Sequence, residues 1–359
     1  MGLNIYIGCS FWVYKVIISK FMKIHIPDIS KQIYKEDILR VMEKKYSTVG
    51  SVWASHQMDW CNGVYNSFKD HDKFLIVIFL VKKTLDFYSR NFIKLTYDDF
   101  YSKDTVEIEK FSIAEISIAL SIPKESTRRK IIELVKEGVI RKVKKKVIID
   151  RSKFFKSKPV ESIKRISRFL SILSEMCVVE KVFLKKISSE ELELIIKNNF
   201  SYIWKIYYEL QIPSMINYKK IFIDLETFHI WGMCAVNQHL YGKKVTKGYM
   251  DRESFIKTIL TTKKMQGINA MSISDITSIP RATVIRKLKK LVKLNMLTID
   301  KKKHYRLTNK FSHILMPLQT VTFIKLSDFS AKIYSLITLN KKKKQKYEPH
   351  IVDFDLKSL

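Results

Sequence analysis

Glycine and proline are scarce here, nine and seven in 359 residues. No glycine-rich loop of the kind that cradles phosphates can be found, so a nucleotide site of the usual types is not expected. The four cysteines, Cys9, Cys61, Cys177 and Cys234, are far apart and form no C-x-x-C. The eight histidines include no H-E-x-x-H or comparable cluster, so zinc is not expected and isolated thiols fit a reducing cytosol. There is no G-x-S-x-G and no other recognisable nucleophile motif, so neither an enzyme nor a cofactor is expected. No apolar run reaches the roughly twenty residues a membrane-crossing helix needs. Acid is also short: 35 Asp and Glu stand against 66 Lys and Arg, a formal charge of +31.

An excess of that size points to a polyanionic partner, nucleic acid first and an anionic membrane second. Many lysines are scattered in the manner of a compositional bias, which accounts for part of the charge. It does not account for basic residues gathered on particular helix faces. With 46% hydrophobic and 12% aromatic residues the chain is that of a folded protein, long enough for two or more domains.

The most informative stretch runs from Ser272 to Thr308. Val284, Leu288, Leu291 and Val292 fall at i, i+4, i+7 and i+8, the apolar stripe of a helix packed on one side. Pro280 suits its first turn, and Asn295 a left-handed position just past its end. The opposite face carries Arg281, Thr283, Arg286, Lys289 and Lys290 and no acidic residue. Met296 to Ile299 and Tyr305 to Thr308 read as two short strands joined by a basic tip, Asp300 to Lys303.

The pattern recurs upstream. Pro123 stands 280 − 123 = 157 residues before Pro280. At that offset Ile122 meets Ile279, Ser126 meets Thr283, Arg129 meets Arg286 and Lys130 meets Lys287. Ile131, Leu134 and Val135 meet Leu288, Leu291 and Val292. Gly138 meets Asn295, both suited to a left-handed cap, and Lys144 to Lys146 meet Lys301 to Lys303. A preceding helix is expected over Ile113 to Leu120 in the first copy, compressed to Ile273 to Thr277 in the second.

Short helix, turn, basic helix, basic hairpin: each copy resembles the winged helix-turn-helix of bacterial transcription regulators, in the broad manner of the MarR and IclR groups. The resemblance implies DNA binding, with the second helix in the major groove and the wing on the phosphate backbone.

A weaker repeat lies ahead of each copy. At an offset of 190 − 36 = 154, Glu36-Asp37-Ile38 meets Glu190-Glu191-Leu192, Phe68 meets Phe222, Asp70 meets Asp224 and Phe87 meets Tyr241. Phe74 to Tyr88 is too long for a strand and reads as a buried helix. Asp70, Asp72, Asp224 and Glu226 stand just before apolar helices, where carboxylates serve the N-terminus. The aromatic stretches Val52 to Trp60 and Tyr202 to Tyr208 read as core or helix-packing faces. Trp53 with His56 and Trp60 is the weaker candidate for a small effector pocket. Before Cys9 the apolar run is too short for a lipoprotein signal, and Met22 is a second candidate start. A helix is expected from Val160 to about Cys177, and Lys341 to Lys346 reads as a solvated charge run.

The expected fold is therefore mainly α with short β-hairpin wings: tandem winged helix-turn-helix domains, each preceded by a helical region. The expected segments are 1–35 (an N-terminal segment), 36–110 (helical), 111–154 (winged helix), 155–189 (linker and connecting helix), 190–265 (helical), 266–311 (winged helix) and 312–359 (C-terminal extension). The expected function is a cytoplasmic, nucleoid-associated DNA-binding regulator of transcription acting on double-stranded DNA, not on membranes. An unidentified effector is an open question, and the chain is expected to act as a single-chain pseudo-dimer. Lys124, Ser126, Arg128, Arg129, Arg281, Thr283, Ile285, Arg286, Lys289 and Lys290 are the candidates for base edges or flanking phosphates. Lys144, Lys145, Lys146, Lys301, Lys302 and Lys303 are the candidates for backbone contact. The alternatives are a replication initiator with tandem winged helices and a winged-helix protein-interaction scaffold.

Overall fold

The computed structural model describes residues 33–143, 146–154, 158–262, 266–309 and 312–344, with the side chains of the last segment covered from 315 to 338. Readings of the segment before residue 33 and of the chain beyond 344 fall outside these residues. The chain is mainly helical, with two small antiparallel sheets of three strands each.

The element order occurs twice. First come α1 (Lys35–Lys44), α2 (Tyr46–Phe68), α3 (His71–Arg90) and the single turn α4 (Tyr97–Phe100). Strand β1 (Thr105–Ile108) leads to α5 (Ile113–Leu120), α6 (Lys124–Lys136), β2 (Ile140–Val143) and β3 (Lys146–Asp150). Helix α7 (Val160–Val179) closes the series. The second series is α8 (Ser189–Asn198), α9 (Phe200–Phe222), α10 (Leu225–Val245), α11 (Arg252–Thr261) and β4 (Ile268–Asn269). It continues with α12 (Ala270–Thr277), α13 (Arg281–Lys293), β5 (Leu297–Ile299), β6 (His304–Leu307) and α14 (Ser312–Lys344). Helices α8 and α9 begin and end 154 residues after α1 and α2 (189 − 35, 200 − 46), and α10 begins 154 after α3 (225 − 71). Helices α12 and α13 follow α5 and α6 at 157 (270 − 113, 281 − 124).

One expectation needs correction. Helix α12 is not compressed: it has eight residues, as α5 does. It starts at Ala270 because the Asn269 side chain accepts from the Ser272 backbone N–H and caps it. At the other end of the chain, Lys341 to Lys344 form the last turn of α14.

Local chemistry sets the other boundaries. Ser112 and Glu115 form a reciprocal capping box at the start of α5. Asp70 and Asp224 cap α3 and α10 through backbone N–H groups one turn on. Ser121 and Ser278 end α5 and α12 in the left-handed region, at φ 51° and 60°. Each sheet pairs its first strand with its third, β1-β3-β2 and β4-β6-β5. Val106 faces Ile149 in one, and Ile268 faces Tyr305 in the other.

The two series interleave instead of standing apart. Helix α2 packs on α10 and α9 on α3; α14 returns to α1 and α7 covers α8. The exchange is fixed by matching backbone clamps. Ser47 donates its N–H to the Met250 carbonyl at 3.0 Å while its Oγ accepts from Met250 N–H at 2.9 Å. Ser201, 154 residues on (201 − 47), makes the same pair with Leu95 at 3.1 and 2.9 Å. From Tyr34 onward the described residues belong to one compact unit. The aromatic stretches lie in its core, with Trp53, Trp60, Trp204, Tyr207 and Tyr208 all buried.

Candidate nucleic-acid interface

Helices α6 and α13 are built alike. A proline precedes each at φ −52°. A stripe at i, i+4, i+7 is buried: Thr127, Ile131 and Leu134 on α6, and Val284, Leu288 and Leu291 on α13. Past the ends, Gly138 at φ 74° and Asn295 at φ 56° take the left-handed turn into the hairpins. Val135, aligned with half-buried Val292, is itself exposed.

The outward faces differ in charge. On α13, Arg281, Arg286, Lys289 and Lys290 are exposed, with Thr283 and Ile285 half-buried between them. No ion pair within 4.0 Å involves these four cations among the described residues. Lys293 is exposed at the end of the same helix. It lies three and four residues beyond Lys290 and Lys289, a spacing that adds it to their face. On α6, Lys124, Arg128 and Arg129 are exposed and Ser126 is half-buried. There Glu125 grips Arg128 in a bidentate pair at 2.6–3.2 Å, and Arg129 lies 3.9 Å from Glu133. The Arg128 guanidinium holds the Glu125 carboxyl below the usual range, so this face carries fixed anions that α13 lacks.

The hairpins differ too. At the β5–β6 tip the Asp300 carboxylate accepts from the backbone N–H groups of Lys302 and His304, each at 2.9 Å. Lys303 takes φ 61°, and Lys301, Lys302 and Lys303 are left exposed. In the first hairpin Lys146 is exposed but paired with Glu107 at 2.7 Å, while Lys144 and Lys145 lie outside the described residues.

Lys130 and Lys287, which align with each other, do not join the outward faces. Lys287 Nζ reaches Asp224 Oδ2 at 2.5 Å and Glu226 at 3.7 Å, and Lys130 pairs with Asp70 in the same way. Each helix is thereby fastened at its middle to the N-cap aspartate of α3 or α10. Burial works against ionisation of both aspartates. The lysine at each and the backbone N–H groups they cap outweigh it and hold both carboxyls low. Glu226 goes the other way, raised by burial against the opposing pull of Lys287.

The two fastenings are neighbours. His71, next to Asp70, lies 3.3 Å from His229, whose other nitrogen contacts Asn62 Oδ1 at 2.8 Å. Asp224 is five residues before His229 on α10, about 7.5 Å along the helix at 1.5 Å per residue. Burial lowers His71 to about 4, and burial followed by His71 drives His229 well below the ordinary value. Lys219 on α9 adds a pair to Asp72 at 2.9 Å. Sequence reading found Asp70 and Asp224 as caps. It missed their second role because the lysines they bind are 60 and 63 residues away.

Among the described residues no group of three or more His, Cys, Asp or Glu side chains is placed to hold a metal ion. No described helix is long and apolar enough to cross a membrane.

Compared with known proteins, the chain matches no family model, no curated protein and no solved structure.

Proposed function

We propose that the chain binds double-stranded DNA through two winged helix-turn-helix units, with α13 as the stronger reader and the β5–β6 hairpin as its wing. The observation that carries this reading is the paired fastening. Lys130 to Asp70 and Lys287 to Asp224 hold two equivalent helices by their middles on one hub. Arg281, Arg286, Lys289 and Lys290 of α13 are exposed, free of ion pairs within 4.0 Å among the described residues. Helices so held have a fixed separation, which two half-sites on one duplex require. The exposed lysines of the hairpin tip are suited to phosphates. The role proposed with that partner is regulation of transcription, in the cytoplasm on the nucleoid, with replication initiation as the alternative on the same DNA.

The scaffold reading keeps one observation, confined to α6. Ile132 and Val135 are 39% and 51% exposed there, and Ile132 stands where α13 has Lys289. With Glu125 and Glu133 on the same helix, the first unit is the poorer phosphate binder and the better candidate for a protein contact.

The test is binding of a random-sequence duplex across a salt series. Log affinity should fall linearly with log salt, as phosphates exchange counterions for lysine and arginine. Replacing Lys301, Lys302 and Lys303 by Ala should lower the slope by roughly one for each phosphate no longer neutralised. Absence of binding at low salt, or a slope near zero, would overturn the reading.

A further inference from the structure

Helices α2 and α9 occupy equivalent places 154 residues apart, as do α10 and α3, yet the layer they form is filled on one side and open on the other. On the filled side Trp204, Tyr208 and Ile78 are 3%, 9% and 2% exposed. The equivalent positions are Gly50 (204 − 154), Ala54 (208 − 154) and Gly232 (78 + 154). Around those small residues α2, α10, α14 and the end of α9 line a cavity of about 70 Å³ that opens to solvent. Part of the space is taken back, because the Tyr46 ring lies across Gly50 and the Met58 thioether lies against Gly232. Ala54 lines the cavity as well.

The lining is aromatic, chiefly Trp53, Phe228, Trp231 and Phe323, and includes no Asp, Glu, Lys or Arg. An ionised ligand would enter it without a counter-charge, at a large desolvation cost. Its polar groups are mostly engaged. Gln57 donates to Gln211 at 3.1 Å, His239 Nδ1 contacts the Ala235 carbonyl at 2.9 Å, and Thr322 Oγ1 donates to the Leu318 carbonyl at 3.0 Å. The exception is Gln319, whose Oε1 is buried with no hydrogen-bond partner among the described residues. A buried acceptor left unpaired is costly, and a donor on a ligand would recover part of that cost. A second, smaller cavity of about 30 Å³ shares Trp231, His239, Leu315 and Gln319 and reaches Met296 and Leu307 at the base of the β5–β6 hairpin.

We propose that this cavity is a binding site for a small, flat, uncharged aromatic molecule bearing one N–H or O–H donor. The ring lies among the aromatic side chains and the donor bonds Gln319 Oε1. The site exists on one side of the repeat alone, because Trp204, Tyr208 and Ile78 fill its counterpart. It stands independently of the DNA-binding reading, and its readout is binding of the small molecule.

The experiment is calorimetric titration of the full chain with three probes: indole, its isostere benzofuran, which lacks the donor, and benzoate, which is anionic. Indole should bind, benzofuran about threefold to tenfold more weakly for want of one hydrogen bond, and benzoate not measurably. Ala54→Tyr, which copies Tyr208, should fill the cavity and weaken indole by at least about tenfold while leaving the thermal melt in place. Gln319→Leu should bring indole down to the level of benzofuran. No indole binding to the wild-type chain would overturn the proposal, as would equal binding to folded Ala54→Tyr or benzoate binding as well as indole. Should Ala54→Tyr fail to fold, Gln319→Leu decides: an unchanged indole-to-benzofuran ratio overturns the proposal, and loss of the difference supports it.

Discussion

Gln57 and Gln211 stand at the same position of α2 and α9, and the amide of Gln57 donates to the carbonyl oxygen of Gln211 at 3.1 Å. Residues that correspond across a repeat meet only near the axis relating the two copies, so this bond marks the centre of the interleaved core. Gln211 passes the contact on, donating to the Tyr207 hydroxyl at 3.0 Å, which lies 3.1 Å from His56 Nε2. The line of polar groups is buried throughout.

Because a half-satisfied buried network costs more than an apolar one, single and double replacements should differ in kind. Gln57→Leu and Gln211→Leu should each destabilise by about 1–3 kcal/mol, each stranding its partner. The double Leu variant should be less destabilised than the sum of the two. Urea unfolding of the four proteins gives the coupling directly, and additive losses would show that the two amides act independently.

The paired fastenings make a second comparison. Lys287→Met removes one charge and leaves Asp224 its cap on α10, whereas Asp224→Ala removes both the pair and the cap. A missing cap costs about 1 kcal/mol, so Asp224→Ala should be the less stable variant by about that amount. The same order should hold for Asp70→Ala against Lys130→Met, since Asp70 caps α3. Equal losses in urea unfolding would mean that the cap contributes nothing beyond the ion pair.

Much of this architecture is legible in the residues. The i, i+4, i+7 stripes of α6 and α13, the proline before each and the left-handed Gly138 and Asn295 are local signals, and local chemistry decided those elements. The Ser112–Glu115 box reads the same way. What could not be read was tertiary. Lys130 and Lys287 sit in basic runs and look like part of a solvated face, and only the packing of α3 and α10 turns them inward. The start of α12 was hidden because Ser272, a good cap by type, follows the true cap Asn269. The cavity was hidden because Gly50, Ala54 and Gly232 are ordinary helix residues until α9 and α3 are laid beside them. Trp53 does line it. His56 turns instead to Tyr207, and Trp60 packs edge-on against Phe74.

Acid should weaken the fold in two stages. Burial lowers His71 to about 4 and His56 to about 3, and it lowers His229 and His239 as well. A histidine held neutral when folded gives stability that is complete above its unfolded value near 6.5 and is lost as pH falls toward the folded value. Each such histidine should contribute about 1.4 kcal/mol per pH unit across that window. Asp70 and Asp224, held low, should add a second loss below about pH 4. Unfolding free energies at pH 7.5, 6.5, 5.5 and 4.5 should therefore fall progressively from 6.5 downward. A flat profile between 7.5 and 5 would refute the first stage.

The charge difference between the two outward faces predicts a gain of function. Glu125 occupies Arg128 and repels phosphate, so Glu125→Gln should tighten binding to a duplex and steepen its salt dependence. The number of arginines is unchanged in that variant, so any steepening comes from Arg128 being released to phosphate. Arg128→Ala in the parent should have little effect, and Arg286→Ala a larger one. Anisotropy titrations at two salt concentrations distinguish the three. Loss of affinity on Glu125→Gln would mean that Glu125 contacts a base.

A regulator built from two identical subunits presents identical helices to a palindrome. This chain presents two unlike helices from one polypeptide. Lys124, Glu125, Ser126 and Arg128 on α6 stand where α13 has Arg281, Ala282, Thr283 and Ile285. Glu125 can accept from a cytosine amine and Ala282 cannot; Ile285 can touch a thymine methyl where Arg128 would seek guanine or phosphate. The preferred site should thus be bipartite with unlike halves, bound by one chain, the half-site centres about one helical turn apart or a multiple of it. Footprints of the parent beside Arg129→Ala and Arg286→Ala should lose protection over different halves. The Arg286 change should cost about 1–3 kcal/mol if that side chain reads a base. Two chains on a symmetric palindrome, or both variants weakening the same half, would show that the two helices do not divide the site between them.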